Sequence, residues 1–342
     1  MVMIRRRSWF KLPLIFGLLM LVLSGCSDID TLSTLKPAGP DAKEQLNMMY
    51  LSLGIMVIVV AIVFAIFTYV LLKYRRKPGQ TEIPKQVEGN HKLEIIWTVI
   101  PIILLAILAV PTVSSIFNLA EKPAEGEDVI NIRVTGHQYW WEFEYTDLDI
   151  RTSQDLYIPV GKEVQLELTS DDVIHAFWVP SLAGKQDATP GKITPLRIEA
   201  ERAGTFQGKC AELCGASHAL MDFNVVATEE GEFDEWVANM QNPESEPQTE
   251  LAEQGKELFS QSCMGCHAVR GTDFKTEGMS APDLTGFGER SSIAGVLDHD
   301  EEALKEWLED PEAVKPETIM PGFDHFTDEQ MDAMSEYLLN LK

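Results

Sequence analysis

Four of the five cysteines in this 342-residue chain fall in two short clusters whose spacing suits metal chemistry. The first is Cys210-Ala-Glu-Leu-Cys214-Gly-Ala-Ser-His218-Ala-Leu-Met221. Two thiols, an imidazole and a thioether thus fall within twelve residues. His175, in Asp-Val-Ile-His-Ala-Phe-Trp, can add a second imidazole from a neighbouring strand end. Soft sulfur donors with imidazole select copper or zinc. Cysteine and histidine with a weak methionine form the donor set of copper electron transfer. Two thiolates can also bridge two coppers and spread one electron over both, so little geometry changes on reduction. A structural zinc would take Cys210, Cys214, His218 and His175. It would leave Met221 and a nearby aromatic run unexplained. The donor types favour copper and leave zinc open.

The second cluster is Cys263-Met-Gly-Cys266-His267, the c-type haem attachment signature. On a helix this spacing lets both thiols reach one haem edge, and His267 follows to meet the iron. A thioredoxin-like redox pair would need a βαβ surround, and that pattern is missing here. The second axial ligand is expected to be a downstream methionine, which raises the reduction potential. Met331 and Met334 are three apart in a predicted helix over 328–340, opened by the capping box Thr327-x-x-Gln330, and suit packing. Met279 and Met320 remain. Met320 sits in Thr-Ile-Met-Pro321-Gly322, a loop between a predicted helix over 300–309 and the last one, and is the expected ligand. His91, His137, His299 and His325 have no partner at ligand spacing and read as surface or packing residues.

Short alternating runs surround the first cluster: 129–134, 140–145, 155–158, 163–168, 193–198 and 224–227. Turn residues such as Pro159 to Gly161 and Pro190-Gly191 separate them, which predicts a small antiparallel β-sandwich over 127–238. Residues 239–250, with Pro243, Pro247 and several glutamates, read as a linker before an all-α domain over 251–342.

Upstream, the texture is that of a membrane. Residues 1–25 read as an export signal: Arg5, Arg6, Arg7 and Lys11 precede an apolar stretch too short to span comfortably. Its end, Leu23-Ser24-Gly25-Cys26, resembles a bacterial lipoprotein box, which implies lipidation of Cys26. In the hairpin expected over 26–120, the apolar runs 48–72 and 95–117 are each long enough to span, with Pro101 and Pro111 inside the second. The loop between them carries Lys73, Arg75, Arg76, Lys77, Lys85 and Lys92 against Glu82 and Glu88, which places it in the cytoplasm. Both ends, and the domains that follow, are then expected outside a bacterial cell membrane. Glu94 marks the inner end of the second span and is either an interfacial carboxylate or a participant in proton uptake.

The copper-type cluster, His175 with Val179-Pro180-Ser181-Leu182, Asp187-Ala188-x-Pro190-Gly191, and the aromatic stretch from Gly136 to Tyr145 together resemble subunit II of cytochrome c oxidases. The resemblance runs from about residue 45 to 238. It implies a two-helix transmembrane hairpin, a cupredoxin-like sandwich and a dinuclear copper site, CuA. Cys210 and Cys214 would bridge both coppers, His175 and His218 would be terminal ligands, and Met221 and the Glu212 carbonyl would be weak ones. The Glu212 side chain would reach a magnesium ion at the interface with subunit I, and Glu94 would lie near the entrance of a proton channel. The family's aromatic stretch often begins with a tryptophan proposed to receive electrons. Tyr139 occupies that place here, followed by Trp140 and Trp141. Pro282-Asp283-Leu284-Thr285-Gly286 resembles the class I cytochrome c segment whose proline carbonyl receives the proximal histidine's hydrogen bond. A cytochrome c fused to a CuA subunit resembles the caa-type oxidases.

The implied function is electron transfer from an external donor, a cytochrome c or another carrier, through haem c and CuA to subunit I, where oxygen becomes water. Subunits III and IV and membrane lipid are the other expected partners. No oxygen-reducing site is expected in this chain. A nitric oxide reductase bearing CuA shares this electron-intake logic, and a free-standing lipid-anchored carrier is a further alternative. A quinol oxidase subunit is disfavoured, because such chains lack these thiolates. The formal charge of −25, concentrated after residue 120, repels nucleic acid and suits either a basic protein partner or simply a solvated surface.

Overall fold

The computed structural model describes residues 17, 32–81, 83, 86, 88–120, 129–272, 274 and 281–342. The expected export signal apart from residue 17, the lipidation site Cys26, Lys85 and Met279 lie outside the described residues. Helices α1 (Pro40–Lys73) and α2 (His91–Leu119) contain the two expected spans and are long and apolar enough to cross a membrane. Asn90 caps α2 by accepting hydrogen bonds from the Lys92 and Leu93 amides. Large apolar side chains such as Phe64, Leu72, Leu105 and Phe117 are exposed on these helices, a surface that hydrocarbon can cover.

Just before α1 the chain is tied to the domain that follows. The Ala38 amide donates to Ser181 at 2.6 Å, and its carbonyl accepts from Glu201 at 2.8 Å. Asp41, buried in the first turn of α1, pairs with Arg197 at 2.8 Å.

That domain is a sandwich of ten strands: β1 (Ile130–His137), β2 (Trp140–Tyr145), β3 (Ile150–Ser153), β4 (Asp155–Pro159), β5 (Val164–Ser170), β6 (His175–Trp178), β7 (Gln186–Ala188), β8 (Thr194–Ile198), β9 (Gly204–Cys210) and β10 (Asp222–Thr228). One sheet runs β3-β2-β1-β5-β8, the other β4-β10-β9-β6-β7. The β1–β5 and β4–β10 pairs are parallel and the other pairings antiparallel. Strict alternation in β2, β5 and β10 sends every second side chain inward. Trp141, Phe143, Phe177 and Phe223 meet there with ring centroids 4.5–6.1 Å apart. Such aromatic burial supplies most of a small sandwich's stabilisation.

Helix α3 (Glu230–Gln241) follows, reaching into the stretch read as linker. Beyond it Ser245 is buried and donates to the Arg270 carbonyl at 2.6 Å. The last domain contains α4 (Glu250–Ser262), α5 (Glu301–Glu309), the short α6 (Pro311–Val314) and α7 (Asp328–Leu339). Thr327 and Gln330 form the expected capping box on α7. Met334 is wholly buried in this domain's core, and Met331 packs against it.

Helices α4 and α7 cross in close contact because Gly255 has no side chain: a Cβ there would lie 2.7 Å from that of Tyr337 and run into the Ala333 carbonyl. Gly255→Val is therefore expected to destabilise the helical domain by about 1–3 kcal/mol through overpacking. Thermal unfolding followed at the haem absorbance of the purified protein checks this.

Candidate metal centres

Strand pairing brings the first donor cluster together. β6 and β9 are antiparallel neighbours, with Phe177 opposite Cys210, so the start of β6 lies beside the end of β9. His175 opens β6 and Cys210 closes β9, and the loop beyond β9 returns Cys214, His218 and Met221 to the same end. Ligand atoms of His175, Cys210 and Cys214 lie within 4.8 Å of one another. The two Sγ atoms are 3.9 Å apart. His175 Nδ1 is 3.8 Å from Cys210 Sγ, and His218 Nδ1 is 3.7 Å from Cys214 Sγ. Met221 Sδ is 3.8 Å from Cys214 Sγ, and the Glu212 carbonyl is 3.3 Å from Cys210 Sγ. The Glu212 and Leu213 side chains point outward and are exposed.

Burial pushes the Cys214 thiol up to about 12, and the adjacent Cys210 adds to the rise. Two thiolates this close and this dry need cationic charge between them, which a soft metal supplies. The donor set therefore fits a pair of copper ions bridged by sulfur. Zinc would leave Met221 Sδ and the Glu212 carbonyl aimed at the cluster without a role.

One positioning residue was missed in the sequence. Asp172 Oδ1 lies 2.8 Å from His175 Nε2 and fixes the ring so that Nδ1 faces the sulfurs. Burial pushes the Asp172 carboxyl up, but hydrogen bonds from His175 and from the Val173 and Gln138 amides outweigh it and hold it below the ordinary value. Burial likewise pulls His175 down despite Asp172, which favours the neutral imidazole that can ligate. An acidic pair, Asp171-Asp172, in a loop ahead of a strand reads as surface; the three-residue offset to His175 was the available signal. Gly136 completes the support, since a Cβ there would come within 2.8 Å of the His175 ring.

The second cluster lines a cleft with about 1100 Å³ of empty space, part of it open to solvent. Cys263, Cys266, His267 and Met320 all face this cleft. His267 Nδ1 donates to the Pro282 carbonyl at 2.8 Å, which leaves Nε2 for a metal. Burial lowers the His267 pKa against the effect of that bond, which favours the neutral ring. Thiols, neutral imidazole and thioether around a cleft of this size fit a covalently held haem.

The two sites adjoin. Gln138, Tyr139, Trp140 and Gln154 of the sandwich line the haem cleft. The Tyr139 hydroxyl donates to Glu317 at 2.9 Å and accepts from the Ala216 amide, inside the copper loop, at 3.1 Å. Ser217 of that loop donates to the Pro316 carbonyl at 2.6 Å. Trp141, on the opposite face of β2, meets the His175 ring edge-on at 5.8 Å.

Elsewhere, His137 stacks on Trp140, His299 Nε2 lies 2.9 Å from the Phe287 carbonyl, and His325 is exposed beside Asp324. Glu94 lies in the first turn of α2, 3.6 Å from His91, at the same end of the hairpin as the basic loop.

Known proteins decide the family. Residues 31–114 match the transmembrane domain of cytochrome c oxidase subunit II, 148–228 its periplasmic domain, and 252–342 cytochrome c. The cytochrome c oxidase subunit 2 of Alkalihalophilus pseudofirmus is 49% identical over 97% of this chain and 96% of its own length. The chain belongs to the cytochrome c oxidase subunit II family. The subunit 2 of Bacillus sp. strain PS3 is 47% identical over 98% of both chains. A quinol oxidase subunit 2 of Bacillus cereus is 35% identical over 70% of this chain and 82% of its own. As a subunit II with an appended cytochrome c, the protein is the electron-intake component of a haem–copper oxidase. It holds dinuclear copper in the sandwich and haem c in the helical domain, and it partners with other oxidase subunits in a membrane.

Asp172→Asn replaces the carboxylate that fixes the His175 tautomer. Copper affinity is expected to fall about 10- to 100-fold, read by chelator competition on the purified protein.

Proposed function

We propose that electrons from an external carrier enter at the helical domain, cross at Tyr139 and leave through the sulfur cluster toward subunit I, where oxygen is reduced to water with proton translocation. The observation that carries this reading is the position of Tyr139, a residue that lines the haem cleft and whose hydroxyl bonds the copper loop. Bound haem c and bridged copper each take up and release single electrons. The chain's residues hold and space them. Cys263 and Cys266 would form the thioether links to haem, and His267 and Met320 would hold its iron. His175, Cys210, Cys214, His218, Met221 and the Glu212 carbonyl hold the copper pair. Trp140 on the haem side and Trp141 against His175 flank Tyr139 and narrow the gap with aromatic rings.

The exposed Glu212 and Leu213 form the face that docks on subunit I, with the Glu212 carboxylate toward a magnesium ion. Glu94 lies at a proton entrance on the inner side. The basic loop between α1 and α2 supports an inward-facing turn of the hairpin. Both domains then stand outside the cell membrane, and Cys26 is a lipid anchor on that same face. Subunits III and IV complete the complex.

The oxidised, copper-loaded protein is expected to show the multiline paramagnetic resonance of one electron shared equally by two copper nuclei. Metal analysis that finds zinc instead rejects the copper reading. Met320→Leu is expected to abolish the iron–sulfur charge-transfer band of oxidised haem c and to lower its potential. An unchanged band rejects Met320 as the ligand.

A further inference from the structure

Two cations are buried on the inner wall of the haem cleft. Arg290 and Lys315 both line it, at 8% and 3% exposure. Neither reaches a carboxylate at ion-pair distance among the described residues. Arg290 donates to the Ser153 hydroxyl at 2.9 Å and to the Asp283 carbonyl, and its Nε finds no partner. Lys315 donates to the carbonyls of Tyr139 at 2.8 Å and Ala294 at 2.7 Å. A third donor in the same wall comes from the sandwich: Gln154, 5% exposed, has an unpartnered Nε2. Burying a cation against neutral oxygens alone is costly, and an unpaired buried N–H adds to the cost. Burial also pulls the Lys315 ammonium down to about 8, against the pull of Asp222 and Cys214. The wall is built for an anion with several acceptor oxygens.

The attachment edge of the cleft lies at the surface, where Cys266 is exposed. The donor wall lies at the seam with the sandwich, where Ser153 and Gln154 are buried. A haem linked through one edge carries its two carboxylates on the opposite one. We infer that the haem propionates are received at the domain seam by Arg290 and Lys315 of the helical domain and by Gln154 of the sandwich, so that the copper domain closes the haem's own binding pocket. Haem loading and domain docking then become one event, since the propionates neutralise cations that also bond the sandwich. Lys315, bonded to the Tyr139 carbonyl, sets its charge at the junction that separates the two redox sites.

This inference rests on covalent haem at Cys263 and Cys266, which a pyridine haemochrome spectrum of the purified oxidase establishes on its own. The test uses the whole complex with Lys315→Met, Lys315→Arg and Gln154→Leu. Resonance Raman reads the propionate-bending band, and redox titration reads haem c. Lys315→Met is expected to shift the band and to lower the reduced-to-oxidised ratio at fixed potential at least tenfold, about 59 mV for one electron. Lys315→Arg is expected to restore most of that ratio. Gln154→Leu is expected to shift the same band from the other domain, and it still decides the matter if Lys315→Met fails to assemble. Ser291→Ala, which removes a seam bond to Asp155 without lining the cleft, is expected to leave the band in place. Covalent haem with an unmoved band in both Lys315→Met and Gln154→Leu overturns the inference. So does a Ser291→Ala shift as large as that of Lys315→Met.

Discussion

Two thiols under 4 Å apart in a dry pocket govern this protein. Deprotonated, they repel strongly in a medium that screens poorly. Protonated, they cannot bridge metal. Only positive charge placed between them resolves the conflict, and the surroundings are arranged to admit it on both flanks. The β6–β9 pairing delivers one sulfur beside His175, and the loop delivers the other beside His218 and Met221. Asp172 and Gly136 hold the His175 ring from outside the cluster. The aromatic core beneath keeps water out and leaves the ligands few alternative positions.

The same economy of placement extends to the helical domain. Its seam with the sandwich is polar, which suits a joint that forms only after each part has folded. Ser291 donates both its amide and its hydroxyl to Asp155 at 2.7 Å, and Asn224 reaches the same hydroxyl at 2.8 Å. Around Tyr139 the joint passes directly through the copper loop. Tethering keeps the haem domain at high local concentration beside that loop, and the hydrogen bonds convert proximity into a fixed orientation.

Much of this could be read from residues alone, for local reasons. Both membrane helices contain long uncharged runs, and β2, β5 and β10 announce themselves by alternation. The two donor clusters are dense enough to be recognised by spacing. The strands that position them were harder. β6 is four residues with three buried in a row, and β9 alternates in burial but places glycine at one of its inward positions, which hides the alternation in sequence. β3 and β7 are shorter than a pattern can support. The parallel β1–β5 pair joins strands that the sequence separates by three others. Asp172 and the seam residues were invisible for a different reason. Tyr139 and Glu317 are 178 positions apart, and no periodicity links residues that meet only when two finished domains touch.

The segment before α1 has a mechanical consequence. Chain connectivity already attaches the sandwich to the hairpin through α2. The Ala38 and Asp41 contacts add a second fastening, on the α1 side. A body hung from one point can swivel; hung from two, it keeps only a rocking motion about the line that joins them. The copper end of the sandwich is thereby kept from swinging around the hairpin, so an electron leaving it always starts with the same heading.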